Sequence, residues 1–201
     1  MIQAESPGLV LASQSTARAA VLRSAGLRFE QLPAFVDEAA VKAAVRSEGG
    51  SAEECALTLA GLKASRIRRD DAVVIGSDQI LVCDGEWFDK PADLPAARIQ
   101  LERLRGRRHE LVTAVVCHRA GREIWHHVAR PVLSMRRFSD TFLDLYIEAE
   151  GDALLSSVGA YRLEGLGVHL FEAITGEHAA ILGLPLLATL GFLRQHGLLI
   201  D

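Results

Sequence analysis

The sequence predicts a mixed α/β protein in which a twisted sheet is flanked by helices. Short apolar runs, such as residues 8–12 and 73–75, alternate with segments that have helical spacing. Two pairs of strand-like runs meet at turn dipeptides, at residues 84–85 and 120–121, which indicates antiparallel hairpins. Helices that alternate with strands pack on the faces of a sheet. The length of 201 residues allows one core, or two lobes that share a cleft.

The first half of the chain is predicted to alternate strands with helices. Gly26 and Pro33 are stop signals, because glycine is favoured just after a helix and proline interrupts regular elements. After the apolar run 73–75, the Gly-Ser pair is interpreted as a corner that carries Asp78 out of the sheet. In chain order, the predictions are a strand at 8–12, a helix at 17–24, a strand at 29–32, helices at 41–47 and 52–67, and a strand at 73–75.

The second half is predicted to contain two hairpins and three helices. The Asp-Gly pair at 84–85 is a common hairpin turn, and Ser139 is a favoured helix N-cap. Pro185 suits the first turn of the last helix. In chain order, the predictions are strands around 79–83 and 86–88, a helix at 94–104, hairpin strands at 110–119 and 122–133, a helix ending at 150, a strand at 169–174 and a helix at 184–196.

The composition favours a globular enzyme. Apolar residues make up 49% of the chain and the net charge is only −4, unlike a disordered chain or the basic surface of a nucleic-acid binder. The three cysteines are widely spaced and odd in number, so neither a disulfide framework nor a paired-cysteine zinc site is expected. We recognise no secretory signal and no apolar stretch of about 18 residues. We therefore expect a cytoplasmic protein without membrane or nucleic-acid partners.

The first loop is a candidate phosphate site. Ser13, Ser15 and Arg18 surround the start of the first predicted helix, where unpaired backbone N–H groups and the helix dipole attract anions. Alternatively, Ser15 or Thr16 only caps the helix and Arg18 is solvated. The residues alone leave both interpretations open.

An acid and two lysines are further candidates. Asp78 follows an apolar strand, at the edge of an α/β sheet where ligand crevices usually open, although Asp also favours turns for local reasons. Lys63 lies on an apolar-faced helix, and the proline after Lys90 restricts Lys90 to an extended backbone. Taken singly, each lysine is more simply explained as a surface residue.

Several segments in order resemble one known family. The chain contains "LASQSTAR", "FVDEAAV", "LAGLKASR", "VIGSDQILVCDGEWFDKP", "GRRHELVTAV" and "VGAYRLEGLG" followed by "GLPL". Together they resemble the Maf family of nucleoside triphosphate pyrophosphatases, and the resemblance covers nearly the whole chain.

The resemblance implies a Maf or inosine triphosphatase-like fold, with two lobes around a central cleft, in a single domain over residues 1–201. It implies hydrolysis of a nucleoside triphosphate between its α- and β-phosphates, a divalent metal cofactor, Mg²⁺ or Mn²⁺, and a homodimer. By the same resemblance Asp78 is the proton acceptor, and Glu38 and Asp78 hold the metal. Whether Asp78 acts as base or as metal ligand stays open. The phosphate site is expected to be lined by Ser13, Arg18, Lys63 and Lys90.

Two further residues suggest a substrate. Gln79 and Glu164 resemble the subgroup that acts on 7-methyl-GTP, whereas the subgroup that acts on dTTP and UTP usually has Thr and Gln at these places. A carboxylate at the base edge would suit the N–H donors of guanine. One departure concerns residues 16–18, which read Thr-Ala-Arg where the family has Pro-Arg-Arg or Pro-Trp-Arg, so a second cation or a stacking aromatic is absent. The remaining alternative is a nucleotide-binding regulator of cell division without turnover.

Overall fold

The computed structural model describes residues 2–200 and contains helices on a mixed sheet. Its strands are β1 (Gly8–Leu11), β2 (Glu30–Gln31), β3 (Ala72–Cys83), β4 (Glu86–Phe88), β5 (Arg108–Arg119), β6 (Arg122–Ala129), β7 (Val132–Met135) and β8 (Phe171–Thr175). Its α-helices are α1 (Thr16–Ser24), α2 (Glu38–Ser47), α3 (Ala52–Arg66), α4 (Leu94–Leu104), α5 (Asp140–Glu150), α6 (His178–Ile181) and α7 (Leu186–Gln195). Short 3₁₀ segments cover Gly151–Ser156, Val158–Ala160 and Leu166–Leu170.

The chain divides into two compact units. The first contains the residues up to Gln79, Thr113–Ala129 and those from Glu177 onward. In it, β1 pairs in parallel with β2 and β3, and β5 pairs antiparallel with β6. Its core consists of apolar side chains from strands and helices, among them Leu11, Leu22, Ile75, Val115 and Phe192.

The helices of the first unit begin at capping side chains. Ser15 caps α1 by accepting a hydrogen bond from the Arg18 backbone N–H. Ser51 and Glu54 form a reciprocal capping box at the start of α3. Such caps satisfy N–H groups that have no partner inside the helix. The predicted boundaries of α1 and α3 therefore agree with the structure to within about one residue, because their signals are local.

The second unit contains Ile80–Val112 and Arg130–Gly176. In it, the end of β3 pairs antiparallel with β4, the start of β5 with β7, and β7 with β8. The β3–β4 turn has positive φ at Asp84 (50°) and Gly85 (81°), as the Asp-Gly pair predicts. Helices α4 and α5 pack in this unit, whose core includes Leu101 and Leu143.

One predicted corner is wrong. Gly76, Ser77 and Asp78 do not leave the sheet, because β3 continues from Ala72 to Cys83 without a break. Gly76 serves packing instead of a turn, since a Cβ built there would lie 2.1 Å from the Ala60 carbonyl oxygen on α3. The glycine thus lets the helix approach the strand closely.

Other boundaries also differ from the predictions. The run 122–133 is two strands, β6 and β7, separated at Arg130 and Pro131, because proline lacks the N–H that a continuous strand would need. Helix α6 was not predicted, and Pro185 precedes α7 as its N-cap residue. Within residues 2–200 no helix is long and apolar enough to cross a bilayer. The mixed α/β fold class is confirmed, whereas the cleft between lobes stays a prediction.

Candidate active site

Lys63 bridges two carboxylates in the first unit. Its Nζ lies 2.5 Å from Asp78 Oδ1 and 2.6 Å from Glu38 Oε1. Lys63 is in the last turn of α3, Asp78 is on β3, and Glu38 is the first residue of α2. Lys63 and Asp78 are buried, with 7% and 4% exposure, whereas the Glu38 side chain is 40% exposed. Three segments distant in sequence thus place one cation between two acids.

The two carboxylate oxygens of Asp78 have different surroundings. Asp78 Oδ2 is buried, and no side chain or backbone group within residues 2–200 donates a hydrogen bond to it. A buried carboxylate oxygen without a donor is costly unless a water, a metal ion or a ligand satisfies it. The Lys63 contact therefore orients Asp78, and its remaining oxygen is available for chemistry.

Arg18 lies in the electrostatic field of the two acids. Burial lowers the pKa of Arg18, and the negative charges of Asp78 and Glu38 act in the opposite direction. The guanidinium donates from Nε to the Gly183 carbonyl oxygen at 2.8 Å and from Nη1 to Ser13 Oγ at 3.3 Å. Ser15 caps α1, as the alternative interpretation of the first loop expects, but Arg18 is partly buried and hydrogen-bonded inside the protein instead of solvated. The phosphate site itself stays a prediction.

Ser13 is nearly buried and accepts two hydrogen bonds. Its Oγ accepts from the Ser15 backbone N–H at 3.2 Å and from Arg18 Nη1 at 3.3 Å. A serine hydroxyl can accept two hydrogen bonds and donate one. The hydroxyl hydrogen of Ser13 therefore stays available to donate to an anion bound beside Arg18.

Residues 8–196 match the family model described as Maf-like protein. The chain belongs to the Maf family. A protein of Granulibacter bethesdensis named nucleoside triphosphate pyrophosphatase is 58% identical over 190 residues, which cover 94% of this chain and 96% of the relative. A protein of the same name from Paramagnetospirillum magneticum is 51% identical, covering 95% of this chain and 100% of the relative. A 7-methyl-GTP pyrophosphatase of Brucella abortus is 45% identical, covering 93% and 95%. The predicted family and enzyme class, a hydrolase, are thereby confirmed.

The donor set of this Maf protein suits a hard divalent cation. Within residues 2–200 there is no group of three or more His, Cys, Asp or Glu side chains placed to hold a metal. Mg²⁺, however, is commonly bound by one or two carboxylates together with substrate phosphates and water. Asp78, with its free buried oxygen, and Glu38, which is partly exposed, fit that pattern.

Gln79 has its amide hydrogens engaged inside the protein. Its Nε2 lies 2.8 Å from Thr113 Oγ1, 2.9 Å from the Ala180 carbonyl oxygen and 3.1 Å from that of Ile181. An amide nitrogen has two hydrogens to donate. Any contact of Gln79 with a substrate would therefore fall to its Oε1, and its predicted substrate role stays a prediction.

Lys90 and Glu164 belong to the second unit. Lys90 follows β4 and is exposed, and Glu164 lies before the last 3₁₀ segment, with Oε1 3.4 Å from Arg162 Nε. The predicted convergence of Lys90 with Asp78 and the predicted contact of Glu164 with a base stay predictions.

Sequence reasoning missed two residues that shape the site. Ser77 is fully buried and Gly183 lies between α6 and α7, and each is joined by a hydrogen bond to the other. The signal for Ser77 is its place in "GSDQ", but a Gly-Ser pair in sequence indicates a turn more directly than a buried hydrogen bond. The signal for Gly183 was its place in "GLPL", which by itself indicates no contact.

Proposed function

We propose that this Maf protein hydrolyses a nucleoside triphosphate between its α- and β-phosphates and releases a monophosphate and pyrophosphate. The proposal rests mainly on Asp78, which has one oxygen paired with Lys63 and a second, buried oxygen without a donor in the described chain. The names of the relatives support the same reaction.

The charges at the site suit a polyphosphate. A triphosphate carries about four negative charges, which cations and N–H donors must offset before water can attack a phosphorus atom. Arg18 can grip two phosphate oxygens, and Lys63 supplies a buried point charge. Lys90 would add a third cation if it reaches the same pocket.

Asp78 is the residue proposed to accept the proton of the attacking water. A general base must lie within hydrogen-bond reach of that water, and an unpaired carboxylate oxygen meets the chemical requirement. Lys63 holds the carboxylate in one orientation through Oδ1. The Asp78 side chain therefore need not change rotamer for Oδ2 to accept the proton of the water. If Oδ2 instead binds the metal, another water-activating group is needed, and both roles stay open.

Glu38 and Asp78 would hold a divalent metal, Mg²⁺ or Mn²⁺. When bound, such an ion offsets the charge that develops on the leaving pyrophosphate. The chain's own contribution is to keep the two carboxylates apart on α2 and β3 with Lys63 between them.

The proposed substrate is 7-methyl-GTP. Glu164 is an acceptor that would suit the N–H donors of a guanine, and a relative that covers nearly the whole chain is named 7-methyl-GTP pyrophosphatase. The alternative substrates are dTTP and UTP. We further propose a cytoplasmic homodimer, which size-exclusion chromatography with light scattering would test.

A nucleotide panel tests this function. Release of pyrophosphate is measured for 7-methyl-GTP, GTP, dTTP and UTP, each with Mg²⁺, Mn²⁺ or after chelation. We expect the highest kcat/KM for 7-methyl-GTP in the presence of metal. Preference for dTTP or UTP would overturn the substrate, and saturable nucleotide binding without turnover would favour a regulatory module instead.

A further inference from the structure

The backbone carbonyl of Gly183 accepts hydrogen bonds from two side chains. Arg18 Nε donates to it at 2.8 Å, and Ser77 Oγ donates to it at 2.7 Å. Ser77 Oγ also lies 2.7 Å from the Ala114 carbonyl oxygen on β5. The Gly183 carbonyl oxygen therefore links Arg18 of the first loop with Ser77 on β3, the strand that also carries Asp78.

We propose that the Gly183 carbonyl is a positioning group that aims the Arg18 guanidinium at the substrate phosphates. This inference rests on the proposed function, in which Arg18 binds phosphate. An arginine has five N–H donors. Gly183 engages the single Nε donor and Ser13 engages one donor of Nη1, so the donors that remain are on Nη1 and Nη2. Those donors form the edge that grips two oxygens at once.

The segment that carries this carbonyl is itself held by the sheet. Gln79 Nε2 lies within hydrogen-bond distance of the Ala180 and Ile181 carbonyl oxygens, and Thr113 Oγ1 is 3.0 Å from the Ala180 oxygen. These contacts fix the backbone that leads from α6 into Gly183. The carbonyl is therefore immobilised before any ligand binds, which lowers the ordering cost of binding.

The alternation of β3 gives Asp78 different contacts from those of its two neighbours. Successive side chains on a strand point to opposite faces. Asp78 contacts Lys63 on α3, whereas its neighbours Ser77 and Gln79 contact the 180–183 segment. Ser77 and Gln79 thus hold the segment that contacts Arg18, while Asp78 between them is paired with Lys63.

Gly183 cannot be replaced without moving Arg18. Its φ is +99°, a region that side-chain-bearing residues rarely adopt, and a Cβ built there would lie 3.0 Å from Arg18 Nε and 3.4 Å from Nη2. Gly191 on α7 is a matched control, because its Cβ would meet no heavy atom within 4 Å. Both substitutions add one methyl group, and both positions lie in the C-terminal part of the chain.

A double-mutant cycle tests the proposal, with inorganic triphosphate binding measured by calorimetry on the full chain. We expect Gly183→Ala and Arg18→Ala each to weaken binding by about 10-fold or more, the loss of one charge-assisted contact. In the Gly183→Ala background, Arg18→Ala should weaken binding by less than about 3-fold, because coupled residues are not additive. Gly191→Ala should bind as the wild type does.

Additive effects of the two changes would overturn the proposal, as would wild-type binding by Gly183→Ala. If Gly183→Ala does not fold, the cycle is run with Ser77→Ala, which removes one anchor of the carbonyl without adding atoms. If the wild type does not bind triphosphate, the proposal also fails, because Arg18 then has no anion to hold. Triphosphate binding with the expected coupling, but without hydrolysis of any nucleotide, would sink only the proposed function.

Discussion

The ammonium of Lys63 donates to Asp78 from a distance of 2.5 Å, and both side chains are buried. A buried ion pair adds little net stability, because the loss of hydration offsets much of the attraction. Its effect here is geometric, since it fixes which carboxylate oxygen of Asp78 is occupied. The other oxygen has no donor within residues 2–200. The predictions about catalysis and metal follow from this pair.

Replacing Asp78 with asparagine should lower kcat by at least about 100-fold, because an amide cannot accept the proton of water. The measurement is pyrophosphate release at saturating nucleotide, with circular dichroism to verify the fold. Asp71→Asn is the matched control, as Asp71 is exposed and pairs with Arg69. Full activity of Asp78→Asn would refute the assignment.

Chelation of divalent metal should abolish turnover yet change the free energy of unfolding by less than about 1 kcal/mol. The reason is that Lys63 already bridges Glu38 and Asp78 and offsets one of their two negative charges, so the fold needs no metal to hold the two carboxylates in place. Urea unfolding with and without chelator measures the second quantity. A large loss of stability on chelation would show that the metal has a structural role.

Replacing Gly76 with alanine should destabilise the fold by about 3 kcal/mol or more. The new Cβ would lie 2.1 Å from the Ala60 carbonyl oxygen and 2.8 Å from the Ala64 nitrogen, so strand and helix must separate. Gly61→Ala, on the same helix α3 and in open space, should instead stabilise by about 0.5–1 kcal/mol. Equal effects of the two changes in urea unfolding would contradict this packing argument.

His109 should make stability depend on pH. Burial lowers the pKa of His109 to about 4, and its Nδ1 has no hydrogen-bond partner within the described residues. An unfolded histidine has a pKa of about 6.5, so the unfolded chain binds a proton first as the pH falls. Stability is therefore fully present above pH 6.5 and decreases between about pH 6.5 and pH 4, by about 3 kcal/mol.

The variant His109→Gln tests this by urea unfolding at several pH values. The difference in unfolding free energy between the wild type and the variant should fall as the pH drops through this window. His169→Gln, on an exposed side chain, is the control and should follow the wild-type profile. A constant difference between wild type and His109→Gln would show that His109 does not titrate on unfolding.

Replacing Glu164 with glutamine should shift substrate preference from 7-methyl-GTP toward dTTP or UTP. An amide offers both donors and an acceptor, whereas the carboxylate only accepts. The ratio of kcat/KM values should change by about 10-fold or more, as expected for one polar contact to a base. Glu172→Gln, on an exposed residue of β8, is a suitable control. An unchanged ratio would show that Glu164 does not read the base.

Much of the fold was predictable because its signals are local. The caps at Ser15 and Ser139, the turn at residues 84–85 and the helical spacing of residues 94–104 depend on neighbours within a few positions. The ordered motifs also identified the family and singled out Asp78, Lys63 and Arg18 as candidate site residues. The sequence by itself thus determined most of the elements, the family and the candidate chemical groups.

Only the tertiary structure decided which of these groups meet. Gly76 lets α3 approach β3 closely, the start of α2 brings Glu38 to Lys63, and the turn before α7 brings the Gly183 carbonyl oxygen within 2.8 Å of Arg18 Nε. Arg18 and Gly183 are 165 positions apart. Contacts at such separation depend on how whole elements pack, and no local pattern of residues encodes them.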